Sequence, residues 1–376
     1  MTHPAPPWKN KALFTPGPLT TSQSVKQAML TELGSRDFGF IEVIQSIRED
    51  LLKIGQVAQA GYTAVLMQGS GTFGIESVIS STIAEEGHLL VIINGAYGKR
   101  IQQIAQILKI KNTALEFPEN ELPSLEQIER CLRQDPEITD LMVVHCETTT
   151  GLYNPVEQIG KLAKKYDKNF IVDAMSSFGA VPIDVAGWQI DFLVSSANKC
   201  IEGVPGFSFI LANQSSLEKT RGRARSLSFD LYAQWRGLES NGQFRFTPPT
   251  HTLLAFRQAL DELEEEGGIE GRMRRYQHNF RILREGMRRL GFQEYLPAEM
   301  QGWIITSFLF PQSPRFHFET FYQKLNDLDF VIYPGKVSNA DCFRIGNIGR
   351  LFEQDIRALL WAIDHVCREM ELNLKE

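Results

Sequence analysis

Lys199 follows the apolar run Phe192-Leu193-Val194 through Ser195-Ser196-Ala197-Asn198, and Asp173 closes the run Phe170-Ile171-Val172. Strands that end in an aspartate and then a lysine, one crossover apart, bring both groups to the same edge of a sheet. The amine can condense with an aldehyde. The carboxylate can hold a ring nitrogen protonated, so that the ring takes up electrons. Pyridoxal phosphate requires those two groups of its protein, and the pair therefore points to an enzyme that uses this cofactor. The bland alternatives are a surface lysine for Lys199, which its place after an apolar run disfavours, and a helix cap for Asp173. Together they favour the chemistry.

A third segment supplies an anion site. Gly69-Ser70-Gly71-Thr72-Phe73-Gly74 matches G-x-G-x-x-G behind an apolar run, which first suggests a dinucleotide-binding oxidoreductase. That fingerprint expects an acidic residue about 20 positions on, at the end of the next strand. Here the next apolar run ends in Ile93-Asn94-Gly95, without a carboxylate. A single phosphate fits better, held by the hydroxyls of Ser70 and Thr72 and by the amides that open a helix.

The elements that must position these groups follow from apolar patterning. Bursts at Ala64–Met67, Leu89–Ile93, Leu141–Val144, Phe170–Val172, Phe192–Val194 and Phe207–Leu211 alternate with stretches of helical length, such as Ile101–Leu108 and Val156–Lys165. Such alternation predicts an α/β fold with a largely parallel sheet covered on both faces, its ligands at the carboxyl ends of the strands. Ile269, Met273, Tyr276, Phe280, Leu283, Met287 and Leu290 then form one apolar helical stripe. Arginines 272, 274, 275, 281, 284, 288 and 289 are expected on the opposite, solvated face. Trp303–Phe310 and Phe330–Tyr333 read as strands, Phe316–Leu328 and Gln354–Glu369 as helices, which makes a small C-terminal α+β domain.

Composition narrows the function classes. At 376 residues the chain suits one large domain and a smaller one. A net charge of −6 argues against a general nucleic-acid binder but is compatible with a small anionic substrate. The 5 cysteines are scattered, with no zinc-like spacing, as expected of thiols in a reducing cytoplasm. Residues 1–10 hold three prolines and no apolar core, so they do not read as a signal peptide. No apolar run approaches the ~20 residues of a membrane span. A soluble cytoplasmic protein is expected.

Longer blocks carry a specific resemblance. They include Phe14-Thr15-Pro16-Gly17-Pro18-Leu19-Thr20-Thr21, Asn94-Gly95-Ala96-Tyr97-Gly98, Glu147-Thr148-Thr149-Thr150-Gly151 and Val172-Asp173-Ala174-Met175-Ser176-Ser177-Phe178-Gly179. Ser195-Ser196-Ala197-Asn198-Lys199-Cys200, Pro249-Thr250-His251-Thr252, Tyr333-Pro334-Gly335-Lys336-Val337-Ser338 and Cys342-Phe343-Arg344-Ile345-Gly346 extend it. With these, the chain resembles the class V aminotransferases, fold-type I pyridoxal phosphate enzymes. Within them it is similar to the branch that acts on 2-aminoethylphosphonate and pyruvate.

That resemblance implies a large domain with a mostly parallel seven-stranded sheet over residues 21–265. It also implies an N-terminal arm over 1–20 and a small α+β domain over 266–376. Lys199 and Asp173 would be catalytic. Ser70, Gly71 and Thr72 would cradle the cofactor phosphate, Tyr97 would cover the ring, and Thr148 and Asn198 would add polar contacts. Thr247 or Thr250 would reach the cofactor of a second subunit, which implies a homodimer with shared sites. Arg344 would receive the substrate carboxylate, with Arg36 the next candidate; a surface ion pair is the alternative for Arg344. No metal is expected. An aminotransferase of the alanine–glyoxylate or serine–glyoxylate type, and a lyase acting on a related aminophosphonate, remain open alternatives at this point.

Overall fold

The computed structural model describes residues 10–335, 337–372 and 374. All six apolar bursts form strands, because runs this rich in β-branched and aromatic residues are buried on both faces of a covered sheet. They are β1 (Tyr62–Gln68), β2 (His88–Ile93), β4 (Asp140–Val144), β5 (Asn169–Asp173), β6 (Phe192–Ser196) and β7 (Phe207–Asn213). The remaining strand, β3 (Lys111–Glu116), carries no apolar burst. It lies at the edge, half exposed, and is built from Lys-Asn-Thr-Ala-Leu-Glu. The seven strands run in the order β1-β7-β6-β5-β4-β2-β3, with β7 antiparallel to both neighbours and the rest parallel. The expected α/β fold with a mostly parallel seven-stranded sheet is therefore present.

The helices α1 (Gly71–Thr82), α2 (Ala96–Ile107) and α3 (Val156–Lys165) lie among the strands in sequence. α4 (Thr250–Glu265) and α5 (Gly268–Leu290) follow, then α6 (Phe318–Asp327) and α7 (Glu353–Glu369). A second, antiparallel sheet runs in the order β8-β10-β9, from β8 (Ile305–Leu309), β9 (Tyr333–Pro334) and β10 (Cys342–Gly346). Its apolar cluster draws on α5, α6 and α7 and also takes in Phe14 from near the N-terminus.

Three sequence expectations need correction. The run Phe330–Tyr333 is not one strand. Phe330–Val331 pairs in parallel with Ala12–Leu13, the buried Ile332 intervenes, and Tyr333–Pro334 joins β10. Arg344, for which a surface ion pair is the alternative, sits on the middle strand of its sheet and its side chain is enclosed.

The third correction concerns the arginine face of α5, which is not wholly solvated. Arg272 is fully buried; its Nε donates to Glu266 at 2.7 Å and its Nη1 to the Cys200 carbonyl at 2.5 Å. Arg275 donates to Glu266 and to Glu202, each at 2.7 Å, and Tyr276 donates its hydroxyl to Glu202. A helical wheel cannot foresee this, because the partner acids arrive from other parts of the chain. The Glu202 amide in turn donates to the carbonyl of Lys199 at 2.7 Å.

Removing one cation from this buried cluster strands a carboxylate in a low-dielectric interior. Arg272→Met is expected to cost about 3–5 kcal/mol in urea-induced unfolding. The exposed Arg281→Met on the same helix should stay within about 0.5 kcal/mol of the parent. Equal stabilities for the two variants would contradict the network's role.

Candidate active site

The carboxyl ends of the parallel strands open onto a cavity of about 270 Å³. Each chemistry-bearing side chain arrives there for a local reason. β5 ends at Asp173, which lies opposite Val144 of β4 and Val194 of β6 in register. Past β6 the chain turns through Ala197 and Asn198 and presents Lys199 into the same space. β1 ends at Gln68, and the turn after it starts α1 with Ser70 as N-cap. The Ser70 hydroxyl makes no capping bond, so the first amides of α1 and two hydroxyls remain open to an anion. β2 leads into α2, whose second residue is Tyr97.

Ser70, Gly71, Thr72, Tyr97, Thr148, Asp173, Asn198 and Lys199 all line this one cavity. Burial dominates its electrostatics. Lys199 Nζ donates to the Pro16 carbonyl at 2.6 Å, and desolvation brings its pKa down to about 8. Arg344 lowers it further, while Cys200 and Asp173 oppose the shift. Asp173 accepts from the Met175 amide at 3.0 Å. Desolvation raises its pKa to about 6, against the favourable pull of that bond and of Lys199. Its second oxygen has no partner among the described residues, so a donor in the cavity would find an acceptor waiting. Thr148 Oγ1 lies 2.8 Å from Ser176 Oγ.

Arg344 stands behind the wall, fully buried. Its Nε donates to the Pro334 carbonyl and its Nη1 to the Thr148 carbonyl, each at 2.9 Å. The guanidinium lies 5.0 Å from the ring centroid of Tyr333, itself a cavity residue. Its Nη2 is buried without a hydrogen-bond partner. The alternative of a surface ion pair therefore does not hold, and half of the guanidinium fork is already committed to backbone.

The remaining candidates lie elsewhere. Thr247 is exposed, its carbonyl accepting from Gln68 Nε2 at 3.1 Å, and Thr250 opens α4; neither lines the cavity within one chain. Arg36 is exposed and outside it. Sequence reasoning missed Gly17, Arg100, Met175 and Tyr333, which do line it. Gly17 has φ +115°, and a Cβ there would stand 2.8 Å from Lys199 Cδ, so the close approach requires glycine. Arg100 falls one helical turn after Tyr97, a signal present in the sequence.

Comparisons with known proteins identify the family and the fold. The family described as Aminotransferase class-V matches residues 23–321. A 2-aminoethylphosphonate–pyruvate transaminase of Klebsiella pneumoniae is 53% identical over 359 residues, covering 95% of this chain and 98% of that protein. The protein of the same name from Vibrio vulnificus is 54% identical over 354 residues, covering 94% of this chain and 96% of that one. In fold, the chain is similar to an alanine–glyoxylate aminotransferase from Nostoc sp., with a TM-score of 0.89, 24% identity and 98% of each chain covered. It is also similar to a pyridoxamine–pyruvate aminotransferase from Mesorhizobium loti, with a TM-score of 0.89 and 23% identity over 99% of this chain and 95% of the other.

The depressed pKa of Lys199 is directly measurable. In the chain freed of cofactor, acylation of Lys199 followed by peptide mass mapping should rise with pH around a midpoint near 8, against 10.5 for an ordinary lysine. The sign follows from burial: below the midpoint the amine is protonated and inert, above it neutral and reactive. Asp173→Asn removes an anion that stabilises the ammonium, so it should move the midpoint lower. A midpoint at or above 10 would contradict the buried placement.

Proposed function

The chain belongs to the class V aminotransferases, and on that premise we propose that it moves the amino group of 2-aminoethylphosphonate to pyruvate, giving 2-phosphonoacetaldehyde and L-alanine. The observation that carries the reading is the convergence of Lys199, Asp173 and an open helix N-terminus on one cavity at the strand ends. The substrates are supported by relatives about half identical along almost the whole chain.

These residues fit pyridoxal phosphate. Asp173 offers an unspent oxygen, α1 offers open amides beside two hydroxyls, and Lys199 spends a single hydrogen bond. When bound, the cofactor supplies the electron sink that makes a proton on the amine-bearing carbon removable. Lys199 would hold it through Nζ. Ser70, Gly71 and Thr72 would hold its phosphate, Tyr97 would cover the ring, and Thr148 and Asn198 would complete the polar contacts. Asp173, ionised above about 6, would keep the ring nitrogen protonated.

The chain's own chemistry is then proton handling and anion binding. Once the substrate amine has replaced it, the neutral Nζ of Lys199 takes the proton from the amine-bearing carbon and returns it where the product needs it. Arg344, with Nη2 still unspent, receives the anionic end of the substrate. Pyruvate and an aminophosphonate each present such an end, so one arginine can serve both.

The site is completed by a second copy of the chain, with Thr247 or Thr250 of the partner subunit reaching the phosphate. Exposed apolar residues support this: Leu30, Phe38 and Leu227 lie open in the single chain. An N-terminal arm over 1–20, a large domain over 21–265 and a small one over 266–376 are consistent with the separate apolar clusters of the two sheets. Residues 1–9 of the arm lie outside those described. Among the described residues no helix is long and apolar enough to cross a membrane. Cys131, Cys146, Cys200 and Cys367 are free thiols, in keeping with a reducing cytoplasm.

A steady-state assay against a panel of amino donors tests the substrate reading. Alanine should form fastest from 2-aminoethylphosphonate with pyruvate; preference for alanine or serine with glyoxylate would overturn it. Arg344→Lys should keep the fold and the cofactor colour while raising the KM for pyruvate by roughly 10-fold or more, as the charge stays but the planar fork is lost. An unchanged KM would send the anion to another residue.

A further inference from the structure

One cavity residue has no part in the scheme above. Arg100 sits on α2 three residues after Tyr97, and that spacing puts both side chains on one face of the helix. Its guanidinium carbon lies 4.9 Å from the centroid of the Tyr97 ring, and its Nη1 donates to Thr72 Oγ1 at 3.4 Å. Thr72 is the second residue of α1, so Arg100 reaches from one helix to the anion-binding start of the other. Among the described residues Arg100 forms no ion pair, although five arginines of α5 alone (272, 274, 275, 284 and 288) do, as at Arg275 with Glu202.

Charge accounting gives this position a purpose. Lys199 and Arg100 are the two basic side chains that line the cavity. Lys199 is occupied once it holds the cofactor, so Arg100 is the remaining permanent cation in the wall. The phosphate of the cofactor brings close to two negative charges, and a helix N-terminus offsets roughly half of one. Asp173 adds another negative charge to the same space, where Arg100, like Lys199, favours its charged form against the larger effect of burial. Without Arg100 the wall would carry an excess of negative charge next to an anion.

We propose that Arg100 is the cationic binding residue for the cofactor phosphate, acting beside Thr72 at the start of α1. The guanidinium lies over the Tyr97 ring, and beyond the Nη1 contact with Thr72 its Nε and Nη2 make no hydrogen bond among the described residues, so they can donate to an anion. Arginine suits the task better than lysine, because it can stack and donate at once. This inference rests on the reading that the cavity takes pyridoxal phosphate.

Binding of pyridoxal phosphate and of pyridoxal, which lacks the phosphate, separates the roles. Full-length Arg100→Gln and Arg100→Lys are dialysed against graded amounts of each, and the adduct on Lys199 is followed by absorbance. Loss of a charge-assisted contact should weaken pyridoxal phosphate by roughly 10- to 100-fold in Arg100→Gln. Pyridoxal binding should stay within about 2-fold, which also shows that the variant folds. Arg100→Lys should fall between the parent and Arg100→Gln, and inorganic phosphate should compete less well in Arg100→Gln than in the parent. Equal weakening of both aldehydes would overturn the proposal, since Arg100 would then act through Tyr97 and the ring. Unchanged binding of pyridoxal phosphate would overturn it as well. Failure of the parent protein to bind either aldehyde at Lys199 would instead overturn the reading of the cavity itself.

Discussion

Burial of one amine beside one carboxylate sets the terms for the whole site. Asp173 is buried and Lys199 part-buried in the cavity wall, and desolvation drives each towards its neutral form, to about 6 and about 8 respectively. The displacement of Lys199 from 10.5 corresponds to about 3 kcal/mol of unfavourable charge burial. Mutual attraction opposes both shifts and keeps the carboxylate ionised near neutrality. An amine made easy to deprotonate beside a carboxylate that stays charged is what transfer of a proton to and from carbon requires. Such a pair is costly in an interior unless the surrounding structure holds both members in place.

The sheet holds one member and a cross-chain network holds the other. Asp173 is fixed by the register of three parallel strands. Lys199 lies past the end of its strand, in a turn that needs separate support. The Glu202 amide bonds the Lys199 carbonyl, the Glu202 carboxylate meets Arg275 and Tyr276, and Arg272 grips the carbonyl of Cys200. That network ties the turn to α5, the long helix whose far end packs in the cluster of the second sheet. Gly17 completes the support from the N-terminal side, close against the lysine stem.

The sequence announces the strands of this fold where both faces are buried and falls silent where they are not. Six strands show as apolar bursts, while edge strand Lys111–Glu116 is half solvated and needs no such run. Pairing partners are not written locally. The stretch Phe330–Tyr333 reads as one strand, yet it divides because Ala12–Leu13 claims its start and Cys342–Gly346 its end. Arg272 follows the same rule: helical spacing gives its face, but Glu202 and the Cys200 carbonyl, from a distant segment, together with Glu266 just before the helix, enclose it. Eight of the residues expected at the site meet in one cavity because each follows a strand end or opens a helix there. Arg344 lies behind the wall, and Thr247 and Thr250 lie outside it, since their expected roles depend on a substrate or on another subunit.

The central claim is that the cofactor is carried by Lys199 at the end of this sheet. Its most direct test is borohydride reduction of the protein loaded with pyridoxal phosphate, followed by digestion and mass mapping of the modified peptide. The account predicts a yellow protein that bleaches on reduction and retains one reduced cofactor per chain, on Lys199. An adduct mapped to another lysine, or a protein that stays colourless with added cofactor, would contradict it.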